Sequence, residues 1–300
     1  MRHSSLFLLI CAIATCGSSV AVAQSTDCPA IRTLKPVVQQ TMTGLGSAQG
    51  IFLQYQTGQA IADIWLYGDA QTGVAHQYKL QTEPMLKLVP TGRHIQFTRK
   101  GIDVAPHPTG WTHRPGMPMF LGDTVNQKGL IFTLNPQVWN QSTLDGVIEN
   151  TAIDDLSLNG TRPEYVRYKN KWVIATTEYG DEGNELRLYD PEALTKVTRA
   201  SNPHALIAKW PCGPWTQTLH WVDEFQTLVF VQNQIAGLKY RLVCAKFIEG
   251  QLQQCQPVDL PFPVDELEGF AYLGGKQQLC LLLSSSRKQN VTFAQWIEEK

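Results

Sequence analysis

The apolar residues of this chain fall into short runs that recur in a fixed order. Each unit carries a continuous apolar run, a polar loop, a second run in which apolar and polar positions alternate, and a turn. Residues Ile51 to Gly73 overlay Val173 to Thr195 without a gap, and His107 to Trp139 overlay Arg162 to Leu194. Only three of 23 residues are identical in the first overlay, so the shared feature is the pattern itself. The continuous runs begin near Ile51, Pro118, Val173, Val229 and Cys280, at spacings of 67, 55, 56 and 51 residues. Runs of Val, Ile, Tyr, Phe, Trp and Thr bounded by turn residues read as strands. The third run of a unit often ends in Asp or Asn before Pro, as in Tyr189-Asp190-Pro191 and Leu134-Asn135-Pro136, which favours a turn. Periods of 50 to 70 residues built this way predict four-stranded antiparallel blades set around an axis. The expected fold is all-β with five blades, with six blades or a β-sandwich as alternatives. Few segments read as helix.

The last blade ends soon after its third strand. Residues Ile31 to Gln39 are placed to supply the fourth and so close the ring, removing two exposed sheet edges. Pro36 is tolerable there only if this strand lies at the outer edge. The segment Gly44-Leu45-Gly46-Ser47 leads into a strand and lacks the glycine spacing of a dinucleotide loop, so it reads as a turn.

The blade starts Arg162-Pro163-Glu164-Tyr165 and Leu267-Glu268-Gly269-Phe270 resemble those of propeller lactonases and phytase-like esterases. The arrangement as a whole is similar to β-propellers, across nearly all of the chain after residue 23. The metal ligands of those families find no counterparts here, so the likeness implies no activity. It does imply that inner strands begin at one face of a central channel, and that the loops between second and third strands gather at that face.

Composition narrows the function classes. The 300 residues are 43% hydrophobic and 17% charged, with a net charge of −1, so nothing would draw nucleic acid or an anionic membrane. Residues 1–23 combine Arg2, an apolar run from Leu6 to Thr15 and a small-residue stop at Ala21-Val22-Ala23, the make-up of a secretory signal. Residues 24–300 then form one propeller domain, secreted or periplasmic and expected to be monomeric. A lipoprotein anchored through Cys16 is the alternative. No later apolar run is long enough for a membrane span. Export makes disulfides possible. After the signal, Cys28, Cys212, Cys244, Cys255 and Cys280 remain. A hairpin turning at Glu249-Gly250 puts Cys244 opposite Cys255, so these two form the expected disulfide. The pairing of Cys28, Cys212 and Cys280 is left open.

Candidate chemistry follows from the expected channel mouth. Inner-strand starts carry His107, Arg162, Glu164, Gln217 and Glu268. The companion loops carry Gln56 and Asp63, Asp123, Glu178 and Tyr179, Asn233, and Arg287. Arg162, Glu164, Gln217 and Glu268 are expected on the floor, with Asp123, Glu178, Tyr179, Asn233 and Arg287 on the rim. Glu164 and Glu268 can act as acid and base, or hold a divalent cation such as calcium, or merely bond backbone amides. Arg162 suits a carboxylate or phosphate, or pairs with Glu164 or Asp155. The acidic run Glu178 to Glu185 would suit calcium in its oxygens but lacks a ligand spacing. The loop from Asp155 fails the calcium pattern at Val166. Trp111 or Trp215 is placed to stack a sugar ring; the other tryptophans are expected in the core. G-x-S-x-G, H-E-x-x-H, paired C-x-x-C and phosphate-loop motifs are absent.

The expected function is binding of a small polar ligand, a saccharide or a partner protein at the channel mouth. The alternative is a hydrolase of glycosidic or ester bonds working through Glu164 and Glu268. Whether the chain is an enzyme stays open.

Overall fold

Five antiparallel sheets are arranged so that one strand of each lines a common axis. A computed structural model describes residues 31–56, 61–157, 159–235, 239–260 and 265–298. Strand β1 (Ile31–Gln40) precedes the first blade, which holds β2 (Ala48–Tyr55), β3 (Ile61–Asp69), β4 (Gly73–Gln81) and β5 (Lys87–Gln96) in spatial order. A two-residue-per-strand hairpin follows, β6 (Thr98–Arg99) and β7 (Ile102–Asp103). The second blade holds β8 (Pro108–Thr112), β9 (Met119–Val125), β10 (Lys128–Leu134) and β11 (Ile148–Asp154). The third holds β12 (Glu164–Tyr168), β13 (Lys171–Thr176), β14 (Glu185–Tyr189) and β15 (Leu206–Pro211). The fourth holds β16 (Thr216–Val222), β17 (Thr227–Ile235), β18 (Lys239–Ile248), β19 (Gln251–Gln254) and β20 (Val258–Leu260), the last two both pairing with β18. The fifth holds β21 (Leu267–Gly274), β22 (Leu279–Ser284) and β23 (Val291–Glu298), with β1 on its outside.

The inner strands β2, β8, β12, β16 and β21 touch in that cyclic order, β21 returning to β2. The chain is a five-bladed β-propeller. Six blades and a sandwich are both excluded by this closed ring.

Each pair of neighbouring blades traps its own apolar cluster. Trp65, Tyr67 and Ala75 of the first blade meet Trp111, Leu121 and Phe132 of the second. Val229, Leu242 and Cys244 of the fourth meet Phe270, Leu282 and Trp296 of the fifth, with Leu34 from β1. Blades are buried on both faces, which is why their second strands read as continuous apolar runs instead of alternating ones.

Closure by the N-terminal strand occurs as the sequence implies. β1 pairs antiparallel with β23, and a register shift between Pro36 and Val38 absorbs the proline at an outer edge, where its missing N–H costs nothing. The turn reading also holds: Asn135 accepts the Gln137 N–H at 2.8 Å and caps a 3-10 turn, and Asp190 accepts the Ala193 N–H at 2.8 Å and caps the short helix α1 (Pro191–Leu194). Helix is otherwise scarce among the described residues.

Two expectations need correction. The run at Ile51 belongs to inner strand β2, whereas the runs near Pro118, Val173, Val229 and Cys280 begin second strands. The overlay of Ile51 onto Val173 is therefore out of phase by one strand, because β2 and β3 are both apolar along most of their length. The second correction concerns Cys244 and Cys255. The hairpin turns at Glu249-Gly250, and the Cys255 N–H does bond the Cys244 carbonyl at 2.8 Å. Yet Cys244 keeps a free thiol, as do Cys212 and Cys280. Cys244 packs into the cluster between the fourth and fifth blades, where burial lifts its thiol to about 12. Cys255 is disulfide-bonded, and to none of these three thiols. Residues 1–23, Cys16 and Cys28 lie outside the described residues.

Candidate functional site

All five inner strands run the same way through the ring, so the channel has an entry face where they begin and an exit face where they end. The loops between second and third strands return to the entry face. In the first blade that loop is 70–72, not the segment holding Gln56 and Asp63; those two lie toward the exit face. Asp69 takes their expected place, with its carboxylate 3.5 Å from His107 Nδ1.

Arg162 is the organising group of the entry side. It precedes β12 and is buried, and its Nε donates to the Gln217 carbonyl at 2.8 Å while Nη1 donates to the Asn159 carbonyl at 3.2 Å. These bonds orient the guanidinium without neutralising it. Burial lowers its affinity for the proton, to about 10, which still leaves it charged at neutral pH. The Tyr179 ring lies 5.6 Å from the guanidinium carbon, and Trp215 meets Tyr179 edge-on at 5.0 Å. Gln234 Nε2 donates to the Tyr179 hydroxyl at 2.6 Å.

Glu268, on β21, completes this group. Gln217 Nε2 donates to its Oε2 at 2.5 Å. Burial raises the Glu268 carboxyl well above the usual range, and Glu266 beside it raises it further through like charge. Glu268 thus favours the neutral acid at a buried position beside a cation.

Glu164 sits deeper. Its Oε1 accepts the Trp221 N–H at 3.0 Å, and His220 Nδ1 lies 3.9 Å away. It lines a cavity of about 10 Å³ with Trp111, Thr112, Arg114 and His220, room for about one water. Burial holds this carboxyl at about 7. The Tyr67 ring and hydroxyl pack across Gly50 of inner strand β2. That placement is not legible from its own strand. Tyr67 comes from a second strand and packs there only because its neighbour across the register is Gly50.

The remaining candidates divide. Asp123 is buried and accepts the His107 N–H at 2.9 Å, and burial lifts its carboxyl to about 7. Asn233 is buried and accepts the Leu267 N–H at 3.1 Å, joining the fourth blade to the fifth. Glu178 turns inward to Arg187, which also meets Asp154 at 3.3 Å. Glu178 also accepts the Glu185 N–H at 3.0 Å, so it fastens the loop that carries Tyr179. Arg287 is exposed on the entry side. Trp111 is buried and stacks on Phe52 at 4.8 Å; Trp215 is the tryptophan that stands at the mouth. No group of three or more His, Cys, Asp or Glu among the described residues is arranged to hold a metal ion.

No family model matches the chain, and no curated relative matches it. Solved structures do. One is hydrazine synthase from Kuenenia stuttgartiensis, at 7% identity and a TM-score of 0.44; the match covers 81% of this chain and 64% of that one. Another is a Thermus thermophilus protein described as an oxidoreductase (glucose dehydrogenase), at 11% identity and TM-score 0.43, covering 88% and 99%. A third is the periplasmic gluconolactonase of Pseudomonas aeruginosa, at 13% identity and TM-score 0.37, covering 83% and 85%. None of these bears on what the present chain binds.

Proposed function

We propose that this protein is an exported propeller that binds a small saccharide-like ligand at the entry face of its channel. Arg162 would hold a carboxylate or hydroxyl group, Gln217 and Glu268 would bond further oxygens, and Tyr179 with Trp215 would cover an apolar ring face. The observation that carries this reading is the Arg162 guanidinium, buried and bonded to two backbone carbonyls, under an aromatic pair. A buried cation with no direct carboxylate partner among the described residues is costly, and an anionic or polyhydroxylated ligand would offset that cost. Each ring of the pair has an apolar face and a polar edge, the kind of surface a sugar packs against.

Calorimetric titration of residues 24–300 against neutral hexoses and their uronic and aldonic acids tests this. The acids are expected to bind, and Arg162→Ala to weaken them at least about tenfold, the scale of one charged hydrogen bond. Absence of binding across the series, or an unchanged affinity in Arg162→Ala, would overturn it.

A hydrolytic reading draws on one observation, the Glu266 carboxyl beside a Glu268 that favours its protonated form. A proton donor with a second carboxylate beside it is an arrangement general acid–base cleavage can use. Hydrolysis of aryl glycosides or esters that is lost in both Glu268→Gln and Glu266→Gln would favour it. Turnover unchanged in either variant would sink it.

A further inference from the structure

At the exit face the ends of β2, β16 and β21 line a recess of about 360 Å³. Its walls combine three aromatic residues, Tyr55, Trp221 and Tyr272, with the apolar side chains of Ile61, Leu80 and Leu273. Among the described residues its charged lining is all acidic, from Asp223 and Glu224. Asp223 is already engaged: it meets Arg114 Nη1 at 2.6 Å and accepts the Trp221 Nε1–H at 2.9 Å. Glu224 is different. It is exposed, and its Oε2 accepts the Tyr272 hydroxyl at 3.0 Å. The bond aligns a carboxylate with an aromatic ring at the lip of the recess and leaves its charge uncompensated by that partner.

We propose that this recess is a second ligand site, for an organic cation with an apolar body, such as a substituted ammonium. Aromatic faces attract cations through the ring quadrupole, most strongly where water is excluded. The same end of the channel already holds a cation in this manner. The Arg114 guanidinium carbon lies 4.7 Å from the Tyr55 ring centroid and 4.3 Å from that of Trp172. Arg114 does not itself line the recess; it neutralises Asp223, and Glu224 is left as the carboxylate that faces a ligand. An anionic ligand would meet Glu224 directly and is rejected by like charge. The volume suits an aryl or branched alkyl ammonium, at the small end of ordinary ligand sites.

The test is calorimetric titration of residues 24–300 with benzyltrimethylammonium chloride and with benzyl alcohol as its neutral counterpart. The cation is expected to bind at least about threefold more tightly than the alcohol. Glu224→Gln is expected to erase most of that preference, and Leu273→Arg, which places a fixed cation in the recess, to abolish cation binding. Should Leu273→Arg fail to fold, Glu224→Gln alone decides. Equal affinity for cation and alcohol, no measurable cation binding, or a preference unchanged in Glu224→Gln each overturns the proposal.

Discussion

Tyr67 packs across inner strand β2 because the residue facing it in the strand register has no side chain. A Cβ added at Gly50 would fall inside the Tyr67 hydroxyl and ring. Gly50→Ala is therefore expected to cost about 1–3 kcal/mol, the usual penalty of overfilling a packed site, read from urea denaturation. Glu164 carries a second residue-scale consequence. Its carboxyl sits at about 7 in the fold against an ordinary 4.5, because burial penalises its charge. Between those values the folded chain holds a proton that the unfolded chain has released, so this group's contribution to stability falls as pH rises from about 4.5 to about 7. Glu164→Gln stays neutral throughout. Its stability relative to wild type is expected to increase across that window by up to about 3 kcal/mol, measured by denaturation at pH 5 and pH 8. A pH-independent difference would refute the assignment. His220 works in the opposite sense: burial lowers it to about 3, and its neutral Nε2 accepts the Tyr272 N–H at 3.0 Å. Stability lost to His220 at acid pH is regained as pH rises from about 3 to 6.5. At this scale the sequence located Glu164 and Glu268 at inner-strand starts but could not rank their depth. Depth depends on where each inner strand sits relative to its neighbours across the channel.

The element that determines whether the ring closes is β1. It contributes Leu34, buried at 1% exposure, to the cluster between the fourth and fifth blades. The strand is also tied down at its end: Asn290 bonds both the N–H and the carbonyl of Met42, at 2.7 and 2.9 Å, and Gln40 bonds both backbone groups of Leu88 at 2.9 Å. One short segment thus joins the fifth blade to the first. Leu34→Ala is expected to cost about 2–5 kcal/mol, visible as a lowered Tm, while Val37→Ala, exposed on the same strand, changes Tm little. Equal effects would mean that β1 does not pack as described. The strand order within blades was legible because continuous and alternating runs follow one another in a fixed sequence. The phase of the first blade was not, since β2 and β3 bury comparable shares of their residues. The Cys244–Cys255 register was legible too, while the bond was not, because a register brings two backbones together without choosing which thiols pair.

At the scale of the whole molecule, stability is shared among five inter-blade clusters, each drawing on two neighbouring blades. A blade cannot bury its faces alone, so loss of one interface exposes its neighbours. Closure makes this arrangement circular, with no end blade from which unfolding could start. Unfolding is expected to be one transition, with tryptophan fluorescence and far-ultraviolet circular dichroism coinciding, and Leu34→Ala is expected to move the whole transition instead of splitting it. Separated midpoints in the wild type would show that blades melt independently. The sequence by itself determined the all-β class, the five units, the closing role of the N-terminal strand and the polar identity of the inner-strand starts. All of these follow from local alternation and turn chemistry repeated along the chain. Only the tertiary structure decided that Gln217 links Arg162 to Glu268 while Glu164 bonds Trp221 instead, that Glu178 turns to Arg187, that Tyr67 packs across Gly50 and that an acidic and aromatic recess lies at the opposite face. Those choices rest on strands far apart in sequence meeting around an axis, and no local pattern encodes which of them face each other.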